Sequence, residues 1–494
     1  MKKTFGKKLL AVALSAAMTL TVAGCGNNNS ASSTSNSTST PASVSASSAS
    51  ASASASTEPE PEPSYDFGGR TFKIGSYYDM TPDPAKGALE AALADRIAEV
   101  ETKYNCKIEF VKIEGDYVAN YVTSVLAGDP IVDVGYVVTT TLLPSLIEGG
   151  IAEPLDGYDV LDLNNYKWRS DVVEAGKYKG NHYAFLLKDP EIRYGIFWNK
   201  TLFDKYGLPN LYDLVDNGQW TWEKFQEIAN QANQDLDNDG EVDIYGFNAR
   251  ENLAWCYLYS NGAYVANKTD AGIDIDLNDP KVVEALTGLQ NFTQNVKFRD
   301  SIDWSKEGWD SFIKDFRDGK YFMCLEEFWI SYSYLNKEDG MTDDWGWVPF
   351  PKGPSAKDWS CYGKENGARF ILRGVKDPDQ VALVYSLITD LANTNEEWDD
   401  LMEDKLENWC DDAKTAELVS YIYNNKLSVI NGVQGFGDLN GAINKMIGDV
   451  ANGSMTPQTA LDTYQSSIAA AVADIANHDY NADMLEYKVE PKAE

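Results

Sequence analysis

An α/β fold divided into at least two lobes is what the sequence predicts, and three observations carry that expectation. The chain has 494 residues, whereas a single hydrophobic core stops growing near ~250–300 residues. From Tyr65 onward the apolar positions switch repeatedly between period 2 and period 3.6. The switches run strand, helix, strand, helix, strand, an order that implies parallel pairing through crossover helices.

The first segment is an address label and lies outside that fold. Lys2, Lys3, Lys7 and Lys8 form a positive leader, and Leu9 to Val22 is an apolar run shorter than the ~20 residues a spanning helix needs. The run closes on Val22-Ala23-Gly24-Cys25. Residues 27–64 then read NNNSASSTSNSTSTPASVSASSASASASASTEPEPEPS, with almost nothing to bury. A coil of that length reaches about 35 Å, and the Glu-Pro repeat stiffens its end toward polyproline II.

In the folded part, Thr71-Phe72-Lys73-Ile74-Gly75 alternates as a strand, and Leu89, Leu93, Ile97, Val100 and Tyr104 follow at helical spacing. Ile108 and Phe110 alternate again. Val118, Tyr121, Val122, Val125 and Leu126 make a second helical face, stopped by Gly128 and Pro130, and residues 132–137 read as a buried strand. Ligands of such sheets sit beyond the carboxyl ends of the strands, which puts residues 76–79 and 138–141 on the ligand-facing rim. A helix is expected at about 379–391. Near the end, Thr456 and Pro457 suit the first positions of a helix whose apolar face carries Leu461, Tyr464, Ile468, Val472 and Ile475.

Charge narrows the partners. With Lys+Arg 42 against Asp+Glu 76 the formal charge is -34, which repels nucleic acid and anionic head groups. Neutral ligands are unaffected by that balance. Of the six cysteines, Cys106, Cys256, Cys324, Cys361 and Cys410 are widely spaced in apolar surroundings, without a CxxC pair, and read as buried free thiols.

Val22-Ala23-Gly24-Cys25 resembles the lipobox of bacterial lipoproteins, which implies cleavage at residue 24 and acylation of Cys25 by diacylglycerol and a fatty acid such as palmitate. The stretches DVGYVVTTTLLPSLIEGGIAEPLDGY, YGIFWNKTLFDKYGLP, NGQWTWEKFQEIANQANQDLDNDGEVDIYGF and WGWVPFPKGP resemble, in order, the landmarks of the family 1 extracellular solute-binding proteins, the sugar-binding components of ABC importers. That resemblance implies a two-lobed periplasmic-binding-protein-like fold of type II, with an interlobe cleft and several crossing strands. It implies a signal peptide over 1–24, a tether over 25–64, and lobe 1 over 65–188. Lobe 2 follows over 189–354, with a return to lobe 1 over 355–410 and C-terminal helices over 411–494, mainly on lobe 2. It further implies a monomeric binding protein, not an enzyme, tethered to the extracellular face of the cell membrane. Its partners would be ABC permease subunits, or a membrane sensor kinase.

Sugar recognition needs flat aromatic faces and planar polar groups that share hydroxyl hydrogen bonds. By the family pattern the contacts fall on Tyr77, Tyr78 and Asp79; on Thr139, Thr140 and Thr141; on Glu191, Arg193 and Tyr194; and on Glu326, Glu327 and Trp329. Glu326 and Glu327 are neighbours on a strand, so at most one faces the ligand. Trp255 is a further candidate, unless Ala254 to Leu258 is a core segment. A peptide or another polar solute also fits this fold.

DLDNDGEVDIYG, residues 235–246, matches part of a calcium loop: Asp235, Asp237 and Asp239 at positions one, three and five, a carbonyl from Glu241, and Asp243 at position nine. Position twelve is Gly246 in place of glutamate. A structural Ca2+ ion is therefore a possible cofactor and none is required. A secreted glycoside hydrolase is the rival reading, since paired carboxylates and aromatic clefts serve both trades, but no G-x-S-x-G, H-E-x-x-H or Walker pattern occurs.

Overall fold

The computed structural model describes residues 65–487, apart from residues 191, 250, 251, 271, 300–303 and 365. The leader, Cys25 and the tether lie outside the described residues, as does Glu191. Eight strands build two four-stranded sheets: β1 (Arg70–Ser76), β2 (Cys106–Lys112), β3 (Val134–Val138), β4 (Tyr194–Asn199), β5 (Tyr245–Ala249), β6 (Tyr321–Glu327), β7 (Trp345–Val348) and β8 (Gly367–Ile371). The first sheet has the order β8-β3-β1-β2 and the second β7-β4-β6-β5.

In the first sheet β1 pairs in parallel with β2, from Arg70 opposite Cys106 to Ser76 opposite Lys112, and in parallel with β3. The crossover helices α1 (Ala88–Tyr104) and α2 (Tyr117–Leu126) make this pairing possible. Asp116 caps α2 by accepting from the Ala119 amide, satisfying one of the orphan donors of its first turn. The fourth strand, β8, runs antiparallel to β3, because the chain enters it on its way back from the second sheet.

The second sheet is mixed. β6 pairs antiparallel with β4 and in parallel with β5, and β7 pairs antiparallel with β4. All of β4, β6 and β7 are buried, which explains their near-continuous apolar sequences. Gly195 in β4 is required by close packing: a Cβ there would lie 2.3 Å from the Trp347 ring.

This second lobe also carries α3 (Trp222–Ala232), α4 (Leu253–Ser260) and α5 (Pro280–Asn295). The chain then adds α6 (Pro378–Ile388) on the first lobe and α7 (Asn395–Trp409), whose Trp398 and Met402 pack on Leu89 of α1. Helices α8 (Ala413–Asn424), α9 (Gly437–Ala451) and α10 (Pro457–Ile475) complete the second lobe, with α9 and α10 packed on α5. Thr456 caps α10, with Pro457 in its first turn. The buried face of α10 is Ala460, Leu461, Ile468 and Ala471, so the apolar stripe read from the sequence is rotated: Tyr464, Val472 and Ile475 are only half-buried at its margin.

The chain crosses between the lobes three times. It leaves the first after Phe185, which bridges Arg369 of β8, and enters the second at Tyr194. It returns between Tyr362 and Gly367, and crosses again at Trp409–Asp412, where Trp409 stacks on Tyr332 and Lys200 binds Asp411 and Asp412. Cys106, Cys256, Cys324, Cys361 and Cys410 are all buried, and no disulfide joins them among the described residues. Among the described residues no helix is long and apolar enough to cross a membrane.

Candidate functional site

Strand pairing sets the centre of the site. In the β4–β6 ladder Tyr194 lies opposite Glu327, and the two side chains meet where both strands open toward the first lobe. Glu327 is buried, and its carboxylate accepts from three donors: Arg193 Nη1 at 2.5 Å, the Tyr194 hydroxyl at 2.9 Å and Trp329 Nε1 at 3.0 Å. Asn252 Nδ2 donates to the Tyr194 hydroxyl at 2.8 Å, and Arg193 Nε donates to Asn366 Oδ1 at 2.9 Å. Asn366 itself is buried on the second crossing, and its Nδ2 has no partner among the described residues.

Burial alone would push the Glu327 carboxyl up. The Arg193 and Lys364 charges and the hydrogen bonds from Tyr194 and Arg193 outweigh it and hold the group below its ordinary range. Glu326, also buried, accepts from the Glu327 amide at 3.3 Å. Consecutive strand residues diverge, and it is Glu327 that joins the interlobe network.

Aromatic surfaces flank this hub on both sides. On one side Tyr194 stacks on Tyr362 (centroids 5.8 Å apart, planes at 24°), and Tyr362 stacks on Trp255 (6.0 Å, 13°). Trp255 is 7 % exposed, and its Nε1 donates to Asn444 Oδ1 of α9 at 3.0 Å. It lines a cavity of about 550 Å³ together with Asn252, Ala254, Lys364, Gln434, Asn440 and Asn444. On the other side Trp329 lines a cavity of about 440 Å³ with Arg317, Ser333, Tyr334, Lys337 and Asp339. Trp309 lies 6.3 Å from the Trp329 ring and is 49 % exposed.

The first lobe presents a tyrosine cluster after β1. Tyr77 lies 5.0 Å from Tyr117 and 6.1 Å from Tyr136, and Tyr78 lies 5.8 Å from Tyr136. Arg369 sits over the Tyr136 ring and donates to the Gly75 carbonyl. Asp79 is exposed and accepts from the Thr81 amide at 2.9 Å. Thr139, Thr140 and Thr141 form a helical turn at the end of β3. Thr139 is committed to the second crossing, donating its amide to the Asn366 carbonyl and accepting the Asn366 amide on its hydroxyl.

The structure thus joins Arg193, Tyr194, Glu327 and Trp329 in one network, links it through Asn252 to the cavity of Trp255, and leaves Tyr77, Tyr78 and Asp79 on the first lobe. The amides Asn252, Asn366, Gln434, Asn440 and Asn444 escaped the sequence reading. Only Asn252 carried a local signal: it stands three residues before Trp255 at the start of α4, where an amide and an indole share a helix face.

The acidic loop lies elsewhere. Asp235, Asp237 and Asp239 are exposed, with carboxylate oxygens within 4.8 Å of one another. Their oxygens accept amides of the loop itself, Asp235 from Gly240 at 2.9 Å and Asp239 from Glu241 at 2.8 Å. Asp243 accepts from the Leu236 amide, and Glu241 lies 3.5 Å from Lys297. At Gly246 a Cβ would lie 2.0 Å from the Ala229 carbonyl of α3, so position twelve has no room for a side chain.

Residues 95–398 match the family described as bacterial extracellular solute-binding protein. No curated protein matches the sequence. Among solved structures, an ABC substrate-binding protein from Listeria monocytogenes in complex with cycloalternan superimposes with a TM-score of 0.53 at 17% identity, covering 82% of this chain and 99% of that one. A cyclo/maltodextrin-binding protein complexed with maltotetraose gives 0.58 at 16% identity, covering 84% and 98%. UgpB from Mycobacterium tuberculosis in complex with glycerophosphocholine gives 0.55 at 14% identity, covering 82% and 99%. At such identities the likeness is one of fold.

Proposed function

The chain belongs to the bacterial extracellular solute-binding proteins, and from that premise we propose that it captures an oligosaccharide between its lobes and delivers it to an ABC permease. One observation carries the choice of ligand: the hydrogen-bonded chain Asn252–Tyr194–Glu327–Arg193 runs between two aromatic-walled cavities. Hydroxyl-rich rings need both features, planar acceptors and donors for their edges and indole faces for their C–H sides. The amide-rich wall of Asn252, Gln434, Asn440 and Asn444 suits a neutral ligand. A glycoside hydrolase needs a carboxylic acid pushed up in pKa to serve as proton donor, whereas at Glu327 the charged and hydrogen-bonding partners outweigh burial and the net shift is downward.

In this reading the leader and tether hold the protein on the extracellular face of the membrane through the Cys25 lipid, within reach of the permease. Ligand favours the closed lobes by its greater affinity for that state. A thermal-shift screen of residues 65–494 against linear and cyclic oligosaccharides, with glycerophosphocholine in the panel, tests it. A selective upward shift with an oligosaccharide recovered uncleaved is the expected result. A shift with glycerophosphocholine alone would replace the sugar, and cleavage products would replace the importer.

We also propose that Ca2+ binds the Asp235, Asp237 and Asp239 carboxylates as a structural prop. Three converging carboxylates fit a hard cation, and the missing twelfth ligand makes the site a weak one, with Kd on the order of 10⁻⁴–10⁻³ M. At 10 mM Ca2+ and a Kd of ~1 mM the stabilisation is about 1.4 kcal/mol. Calorimetric titration and melting curves with and without Ca2+ should show it in the parent and lose it in Asp237→Ala. No heat and no melting shift in the parent would remove the ion from the account.

A further inference from the structure

The two cavities at the ends of the hub differ in kind. Amides dominate the wall around Trp255, and its only charged residue among the described ones, Lys364, faces the Glu327 carboxylate. The wall around Trp329 carries three charged residues, Arg317, Lys337 and Asp339. Two of the three are cations, in a chain where Asp+Glu 76 outnumber Lys+Arg 42.

Local structure holds these groups in place. After β6 the chain sets down Trp329 and turns through Ser331–Leu335. The next loop is closed by its own backbone, the Met341 amide donating to the Leu335 carbonyl and the Gly340 amide to that of Lys337, both at 3.0 Å. Asn336 Nδ2 donates to the Trp409 carbonyl at 2.9 Å and anchors the loop to the third crossing. The Tyr334 hydroxyl donates to Asp310 Oδ2 at 3.0 Å, which joins the turn to the start of the helix Ser311–Arg317.

Donors on this wall are left over. Asp318 accepts from Arg317 Nε at 2.8 Å, and neither Nη of Arg317 donates to a described group. The Lys337 ammonium forms no ion pair among the described residues and lies 5.8 Å from the centre of the Tyr334 ring. The paired Nη groups of a guanidinium make a fork that fits a planar carboxylate, and an ammonium on the same wall adds further donors. Trp329 supplies the flat face, and Trp309 continues it toward solvent, 6.3 Å away with planes at 33°. An anion entering so acidic a protein meets repulsion overall, so local cations have to hold it.

We propose that the Trp329 cavity takes an acidic sugar unit, its ring against Trp329 and its carboxylate on Arg317 and Lys337, with neutral units extending toward Trp255. Asp339 repels the carboxylate from its own side and accepts ring hydroxyls, which sets the way the unit faces. This rests on the oligosaccharide reading above and adds the charge and the direction of the ligand.

Calorimetric titration of the full chain tests it with trigalacturonate, trimannuronate and sialyllactose, each beside its carboxyl-reduced, neutral form. The readout is the ratio of the two affinities, since damage to the cavity weakens both members of a pair. At least one acid should bind the parent about 10-fold tighter than its neutral form, or more, as one hydrogen bond to a charged group contributes. Arg317→Gln and Lys337→Gln should each pull that ratio toward equality, and Asp339→Asn should raise it. Equal affinities within every pair, or a preference that survives both cation variants, overturns the proposal and leaves the oligosaccharide reading standing. Should one cation variant fail to melt cooperatively, the other decides by the same ratio. Binding by none of the acids also overturns the proposal, and the oligosaccharide reading falls with it only if the wider screen is silent too.

Discussion

Replacing Glu327 with alanine is expected to cost about 3–5 kcal/mol of stability and to abolish ligand binding in calorimetry. The carboxylate is the common acceptor for Arg193, Tyr194 and Trp329, and its side chain and that of Arg193 are only 11% and 15% exposed. Removing it leaves a guanidinium, a phenol and an indole without their shared acceptor in a water-poor site, where each orphaned donor is costly. Glu327→Gln separates charge from shape. It keeps one oxygen for Tyr194 but gives up the ion pair, so its loss should be smaller.

Acid should reproduce part of that loss in the parent. The folded-state pKa of Glu327 is held below its ordinary 4.5. The stability it contributes is therefore fully present above that value and disappears as pH falls through the depressed one. Melting temperatures measured between pH 7 and pH 3 should fall less steeply for Glu327→Gln than for the parent. Parallel curves would mean that the carboxylate is not held ionised by its partners.

Trp255→Ala and Trp329→Ala are each expected to weaken oligosaccharide binding by about 30-fold or more, the ~2 kcal/mol typical of a buried anchor. The two indoles serve opposite ends of the hub, which gives the pair a diagnostic pattern. A ligand short enough to fill one cavity should respond to one substitution only, and a longer one to both. Trp255 is the more buried and also holds Asn444 of α9, so its removal should lower the melting temperature as well. Calorimetry with a length series of the sugar found in the screen checks both. Equal, length-independent losses would mean that the tryptophans support the fold and do not face the ligand.

The elements of the first lobe were legible because their signals are local. Alternation at Thr71–Gly75 gave β1, the spacing of Leu89 to Tyr104 gave α1, and the apolar face from Val118 to Leu126 gave α2. Chain direction was legible too, since strand–helix–strand fixes parallel pairing. The site was legible only in pieces. Arg193 and Glu327 stand 134 residues apart and Arg193 and Asn366 stand 173 apart, and no periodicity links them. Amides such as Gln434 and Asn444 carry no pattern of their own in sequence, and they acquire a role only when α9 is laid over Trp255. Family likeness pointed to Arg193, Tyr194, Glu327 and Trp329, and geometry then showed that they share one carboxylate. The acidic loop shows the converse: its aspartates were plain in sequence, while the reason for Gly246 is the nearby backbone of α3.

The buried cysteines have a consequence for observing this molecule at work. Thiolate, not thiol, attacks a labelling reagent, and burial raises the pKa of Cys106 and pushes that of Cys361 up to about 12. Each is silent in the folded state, and each sits in a different part: Cys106 at the start of β2, Cys324 within β6, and Cys361 at the head of the second crossing. These three of the five buried thiols thus serve as built-in clocks, and their separate labelling rates tell which lobe breathes first and whether the hinge breathes with it.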